Sequence, residues 1–176
     1  MQDQEISKKE VKLDQVILKK GAKVVYPAHG IGVVEKVEKM KENNKTTHLY
    51  SIRIDESDMT IRVPAKSAAK IGIRSVITDK EVPKILKVLK VKAKPGSSQN
   101  WHKRQKSYLD RIKSGSIYDL AEILRELTQI MGRKELSFGE QRLYDNVRLL
   151  LIMEIAEAKG IVKQKASVLL DKAFDS

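Results

Sequence analysis

Residues 21–34 read GAKVVYPAHGIGVV, and they place a turn containing Pro27, Gly30 and Gly32 between two β-rich apolar runs. Proline and glycine at this spacing are typical of a tight corner between strands. Apolar residues alternate with their neighbours on both sides of the corner, which predicts strands with one buried face. The stretch therefore predicts a hairpin corner at the start of a small β-module.

A second segment, residues 58–64 with the sequence DMTIRVP, shows the same alternation. Every second residue from Met59 to Val63 is apolar, so Arg62 is expected on an outward strand face. Short strands joined in this way favour a small SH3- or Tudor-like β-barrel. The predicted strands are 22–26, 31–39, 47–54 and 58–64, with residues 41–45 as the loop between the second and the third.

The second half of the chain predicts a compact, all-α helical bundle. Apolar residues recur every three or four positions from Ile117 to Met131 and again from Leu143 to Ile155. Ser137 and Glu140 form a capping box, and glycines lie where helices should end. The predicted helices are 99–113, 117–131, 138–158 and 161–173.

These patterns indicate a two-domain α+β protein. Thr78 and Glu81 form a further capping box, which opens a short helix that we assign to the β-module. The stretch KPGSS at 94–98 has the composition of a flexible linker. The predicted organisation is a mobile extension at 1–17, the β-module with its helix at 18–93, the linker at 94–98 and the helical domain at 99–176.

The net charge of the 176-residue chain is +12, and 33% of its residues are charged. A folded protein with this balance is expected to meet an anionic partner such as nucleic acid. The absence of cysteine excludes disulfides, thiolate nucleophiles and cysteine-ligated zinc. No apolar run approaches the roughly 20 residues that span a bilayer, so we expect a cytoplasmic protein without a membrane partner.

Catalysis has little support in the sequence. His29, His48 and His102 fall in three different predicted elements, and no nucleotide-binding, metalloprotease or hydrolase motif is present. The glycines of the 21–34 corner do not open a helix, which argues against a phosphate-binding loop. We therefore predict no catalytic residue, no metal and no cofactor.

Trp101, the only tryptophan of the chain, begins the first predicted helix of the bundle and is followed by several lysines and arginines. An aromatic ring beside basic residues suits DNA, because the cations neutralise phosphates while the ring wedges against an unstacking base step. A core role is the alternative, since single tryptophans commonly pack against their own helix. The residues alone favour core packing over the DNA contact.

Together the 21–34 and 58–64 segments resemble the RNA-polymerase-interacting module of the bacterial CarD/CdnL transcription regulators. Residues 100–113, 114–127 and 136–156 resemble the helical DNA-binding domain of that family, in the same order. The resemblance extends from residue 19 to about residue 158. It implies a protein that binds the RNA polymerase β subunit and stabilises the open promoter complex.

The resemblance also implies roles for individual residues. In the family, the tryptophan that matches Trp101 inserts at the upstream edge of the promoter bubble, and the strand that contains Arg62 pairs edge to edge with the polymerase β subunit. The DNA contacts that the resemblance implies are Trp101, Lys103, Arg104 and Lys106. Three other basic residues of the same domain are further candidates for phosphate contacts, namely Lys113, Arg142 and Arg148. The implied polymerase contacts are Tyr50, Ile52, Arg53, Met59, Ile61 and Arg62.

The sequence thus predicts a non-enzymatic, monomeric transcription regulator that reaches the nucleoid through RNA polymerase and binds promoter DNA with low sequence specificity. Nothing in the helical domain resembles a recognition helix with base-reading side chains. Two alternatives come from other classes of protein. One is a basic RNA- or ribosome-associated protein, and the other is a polymerase adaptor without DNA contact.

Overall fold

The computed structural model of this chain describes residues 17–42, 45–91 and 100–174. The chain divides into two units, a β unit at Met1–Ser75 and a helical unit at Val76–Ser176. The predicted linker at 94–98 lies outside the described residues, as does the predicted extension at 1–17 except for its last residue. Each unit has its own hydrophobic core.

The β unit is an antiparallel sheet with one helix, and the strand order is β4-β3-β2-β1-β5. Its elements are β1 (Lys23–Tyr26), β2 (Gly30–Glu42), β3 (Lys45–Ile54), β4 (Met59–Pro64), α1 (Ala65–Ile71) and β5 (Arg74–Ser75). The four predicted strands are confirmed. The predicted loop at 41–45 is shorter than expected, because Lys41 and Lys45 belong to strands, while residues 43–44 lie outside the described residues.

The sheet is not closed into the predicted SH3- or Tudor-like barrel. A barrel requires a ladder between the first and the last strand. Among the described residues β5 pairs only with β1, through Val24↔Ser75 and Val25↔Arg74, and β4 pairs only with β3. Because no such ladder joins β4 to β5 within the described residues, the sheet stays open. The sheet therefore has two edges, β4 and β5.

The predicted corner is present between β1 and β2, where Ala28 and Gly30 have φ values of 65° and 92°. Position 32 requires glycine because the β3 backbone passes close to it: a Cβ there would lie 2.7 Å from the Arg53 carbonyl oxygen. The expectation of one buried face is wrong for these strands, since Val25 is buried as well as its neighbour Val24. The main core of the unit lies on the Val24 face, under α1.

The described part of the helical unit has six elements, and the predicted helices are confirmed to within about two residues. They are a 3-10 turn (Asp79–Glu81), α2 (Val82–Lys90), α3 (Trp101–Lys113), α4 (Ile117–Met131), α5 (Phe138–Lys159) and α6 (Lys163–Phe174). Both predicted capping boxes are formed, at Thr78 and at Ser137. Gly160 ends α5 in the left-handed conformation, with φ 61°.

The position of α2 differs from the prediction that assigned it to the β-module. Its buried residues Val82, Ile85 and Leu89 belong to the same core as Leu124 and Leu151 of the helical unit. The chain accordingly divides after Ser75 rather than near the predicted linker. An apolar stripe on a short amphipathic helix shows that this face of the helix is buried. It does not show which of the two cores buries it.

Candidate nucleic-acid and polymerase interfaces

Strand β4 forms one edge of the sheet. It pairs with β3 from Leu49↔Pro64 to Ile54↔Met59, and no strand within the described residues pairs with its other side. Arg62 is exposed on this strand, and Met59 is 43% exposed. A sheet edge with available backbone groups can accept a strand from another protein. We call Met59–Pro64 the β4 edge.

Only part of the predicted polymerase contact set lies on an exposed surface. Tyr50 and Ile52 are 2% and 0% exposed, and Ile61 packs half-buried against the same core. The Tyr50 hydroxyl accepts a hydrogen bond from the backbone N–H of Leu18 at 3.2 Å. The side chains of Tyr50 and Ile52 are therefore core groups, contrary to the prediction that they contribute to a contact surface.

Arg53 lies on the outer face of β3 within a group of carboxylates. Its guanidinium is 3.0 Å from Glu35, 3.5 Å from Asp58 and 3.8 Å from Asp55. Glu35 follows Val33, the β2 partner of Arg53, by two residues and lies at a bulge in the β2 ladder. These side chains are between 39% and 86% exposed, so each pair contributes only about 0–1 kcal/mol. Together the three carboxylates orient the Arg53 side chain and compensate its charge.

Trp101 is held at the start of α3. Asn100 caps the helix by accepting a hydrogen bond from the Lys103 backbone N–H at 3.2 Å. The indole is half-buried, and a Cβ added to Gly139 would lie 3.0 Å from its Cζ2 atom. The Arg104 guanidinium carbon lies 6.0 Å from the ring centroid. Trp101 thus combines the two predicted alternatives, because part of the ring packs on α5 and part remains exposed.

Glu140 anchors this arrangement although it is only 1% exposed. Its carboxylate accepts hydrogen bonds from Arg104 at 2.7 Å, from Lys134 at 3.2 Å and from the Ser137 N–H and hydroxyl at 2.9 Å each. Burial alone would raise the pKa of Glu140, but the hydrogen bonds from Ser137 and Lys134 outweigh it and lower the pKa to about 2. The carboxylate therefore stays ionised at neutral pH.

Phe138, which was not predicted as a site residue, stands beside this cluster with 79% of its surface exposed. The Arg142 guanidinium carbon lies 5.7 Å from the centroid of its ring. The two residues are four positions apart in α5 and so share one face of the helix. We call the whole cluster the Trp101 corner; its members are Trp101, Arg104, Phe138, Gly139, Glu140 and Arg142.

Three predicted phosphate contacts, Lys103, Lys106 and Lys113, are exposed on α3. At about 100° per residue, Lys103 and Lys106 lie about 140–160° around the helix from Trp101. Lys113 lies about 20° from Lys106 by the same geometry, so the lysines form a stripe along the outer side of α3. Of the basic residues close to Trp101 in sequence, only Arg104 lies beside its ring, and the three lysines point away from it.

Two other predicted DNA contacts hold the helical unit together. Arg104 is ion-paired with Glu140, as described above. Arg148 donates to Asp171 at 2.8 Å and to Ser167 at 2.7 Å, which links α5 to α6. The hydrogen bond to Asp171 raises the pKa of the Arg148 guanidinium. The structure gives both arginines an internal role that their positions in the sequence did not reveal.

The three histidines lie in different elements, with His29 in the β1–β2 turn, His48 in β3 and His102 in α3. His29 makes an edge contact with Tyr26, at 5.2 Å between ring centroids, and His48 and His102 are exposed. Within the described ranges, no group of three or more histidine, aspartate or glutamate residues is arranged to hold a metal ion. Nor does any described helix have the length and apolarity needed to cross a membrane.

Comparison with known proteins gives matches to both units. Residues 18–77 match the family described as "CarD-like/TRCF RID domain", and residues 84–171 match "CarD, C-terminal domain". The chain is also 30% identical over 148 residues to a protein of Bacillus subtilis (strain 168) named "Putative transcription factor YdeB". That alignment covers 82% of this chain and 94% of the relative.

Proposed function

This chain belongs to the CarD family, and on that premise we propose that it is a non-enzymatic transcription regulator that joins RNA polymerase to promoter DNA. In this proposal the β unit docks on the polymerase β subunit. The helical unit contacts DNA at the upstream edge of the open bubble. The net charge of +12 favours such a DNA contact.

The β4 edge supports the docking step. An incoming strand would continue the sheet beyond β4 through main-chain hydrogen bonds. Met59, Thr60 and Arg62 are the exposed side chains of this edge that would select the partner strand. Arg53, held by its three carboxylates, presents a fixed and charge-compensated neighbour on the same face as Arg62.

The Trp101 corner supports the DNA step and carries the proposal. The indole is fixed on one side by Gly139 and Arg104, yet it is not buried in the core. A preoriented flat ring can fill the gap that opens where a base step unstacks. The lysine stripe on α3 offers phosphate contacts that do not depend on base sequence.

The proposed mechanism is differential binding. A protein that contacts the opened fork more favourably than the closed duplex shifts the equilibrium toward the open complex. A ring that needs an unstacked step supplies this difference, because the closed duplex has no gap to fill. The lysine stripe contacts both states and so increases affinity without favouring either of them.

The decisive experiment measures the lifetime of open promoter complexes with the full-length protein. Trp101→Ala should shorten the lifetime to nearly that without the protein, while binding to the polymerase β subunit stays unchanged. Tyr118→Ala is the matched control, because Tyr118 is an aromatic residue of the same unit whose surface is 41% exposed. A folded Trp101→Ala protein that prolongs the lifetime as wild type does would support the adaptor without DNA contact.

A further inference from the structure

Phe138 is an unusually exposed aromatic residue at a place where another aromatic residue is already held. Single exposed apolar side chains are common on protein surfaces and by themselves indicate nothing. Phe138, however, is 79% exposed, and the next residue in the chain, Gly139, provides the surface on which Trp101 packs. Two aromatic side chains therefore flank the same turn at the start of α5.

The cation beside Phe138 adds a second feature. The Arg142 guanidinium carbon lies 5.7 Å from the ring centroid, within the range of a cation–π contact. Such a contact is weak at an exposed site, and it places a positive charge over the Phe138 ring. A ligand that stacks on the ring would therefore have its own charged group next to a guanidinium.

The surrounding charges favour an anionic ligand. Glu140 is enclosed by Arg104 and Lys134, so that the single carboxylate of the Trp101 corner is shared between two cations. Arg142 is a third cation next to this pair of cations and the one carboxylate, so this group of four side chains has a net positive charge. A ligand with a flat face and a negative charge matches both features, and a nucleotide of single-stranded DNA has this chemistry.

We propose that Phe138 and Arg142 form a second nucleotide-binding site beside Trp101, in which an unpaired base of the opened DNA stacks on Phe138 and its phosphate contacts Arg142. This inference rests on the proposed DNA-binding function of the Trp101 corner. In it, Trp101 fills the gap at the fork, and Phe138 holds a base that has already separated. Two separate contacts to unpaired DNA would increase the preference for the open state.

The test uses the full-length protein and two DNA probes of the same sequence, a blunt duplex and a duplex with a short unpaired arm. Phe138→Ala should weaken binding to the forked probe about tenfold, as expected for the loss of one stacked base. Binding to the blunt duplex should be unchanged. Phe138→Tyr should bind the forked probe as wild type does, since it keeps a ring, and Tyr118→Ala is the surface-aromatic control.

Arg142→Ala should lower the salt dependence of forked-probe binding by about 0.7 in the log–log slope, the value for one phosphate contact on a single strand. Trp101→Ala separates the two proposals. If Trp101→Ala weakens forked-probe binding and Phe138→Ala does not, the second site is wrong while the proposed function stands. If neither variant weakens it, the proposed function fails as well.

The fluorescence of Trp101 distinguishes a direct contact from an indirect one, because this residue is the only tryptophan. If the contact is direct, Phe138→Ala leaves the tryptophan emission of the free protein unchanged. Its loss of forked-probe binding should also add, in free energy, to the loss caused by Trp101→Ala. A shifted emission without additivity would overturn the proposal, since Phe138 would then act only by positioning Trp101. If Phe138→Ala loses polymerase binding but keeps forked-probe binding, the proposal is overturned, and Phe138 instead contacts a protein.

Discussion

At the scale of single residues, Gly139 and Glu140 explain how a half-buried tryptophan keeps a fixed position. Gly139 leaves room for the indole, and Glu140 binds the arginine that lies over it. Neither residue is identifiable from the sequence as part of the proposed DNA site, because there the pair is simply the second half of a capping box. Their roles arise because α3 and the start of α5 meet at this point.

Replacing Gly139 by valine should displace the Trp101 ring. A Cβ alone would come within 3.0 Å of the indole, and valine adds two methyl groups. We expect a shifted tryptophan emission and weaker binding to forked DNA, with the helical unit still folded. Gly132→Val is the matched control, because a Cβ there meets nothing closer than 3.7 Å. Unchanged emission in Gly139→Val would contradict the packing described above.

Glu140 should make the stability of the protein dependent on pH in the acid range. Its pKa falls from 4.5 to about 2 on folding, so the folded state binds the proton more weakly than the unfolded state. The resulting stabilisation, about 3 kcal/mol, is fully present above pH 4.5 and is lost as the pH falls toward 2. Thermal unfolding from pH 2 to 6 should show this loss in the wild type.

The variant Glu140→Gln should lack this component of the pH dependence and should be less stable at neutral pH. Glu122→Gln is a suitable control, because Glu122 is ion-paired with Arg111 at 2.8 Å but its side chain is 44% exposed. Screening by solvent makes such a pair weak. Equal pH profiles for wild type and Glu140→Gln would show that the Glu140 network contributes little to stability.

At the scale of elements, the position of β4 in the sheet matters more than its own sequence. The alternation in DMTIRVP predicts a strand with Arg62 outward, and the structure confirms an exposed Arg62. That β4 is an edge strand follows only from the order of the whole sheet. The same strand placed between two others would have no backbone groups available to a partner.

Reversing the charge of Arg62 should weaken binding to the polymerase β subunit at least tenfold and leave the thermal transition of the β unit unchanged. We expect this because Arg62 is an exposed side chain of the strand that we propose as the docking strand. Arg74→Glu, on β5 at the other edge of the sheet, is the matched control and should bind as wild type does. Equal losses in the two variants would indicate a general charge effect instead of docking through β4.

At the scale of the whole molecule, the division after Ser75 has consequences for fragments. Val82, Ile85 and Leu89 of α2 are at most 3% exposed in the core of the helical unit. The Arg125 guanidinium also donates to the Val88 carbonyl oxygen of α2 at 3.1 Å. The helical unit therefore includes α2, on the N-terminal side of the predicted linker.

A fragment of residues 76–176 should unfold cooperatively, whereas a fragment of residues 99–176 should be less stable by several kcal/mol. Removing α2 exposes the apolar surface that its three buried side chains cover, at about 1.5–3 kcal/mol for each. Denaturant unfolding of the two fragments measures the difference. Equal stability would show that α2 is dispensable and would favour a boundary near residues 94–98.

The sequence by itself determined the order and type of nearly all elements, both capping boxes and the resemblance to the CarD family, which the comparisons confirm. These features depend on periodicity, caps and turn residues, which act over a few neighbouring positions. The seven-residue helix α1 was missed, because so short a segment carries too little periodic pattern.

Only the tertiary structure decided which surfaces are available. It placed Tyr50 in a core, assigned α2 to the helical unit, left the sheet open and brought Glu140 to Arg104. Each of these facts depends on contacts between residues far apart in the chain. A local pattern shows that a face must be buried or a charge compensated, but the partner that does so is chosen by the packing of the whole unit.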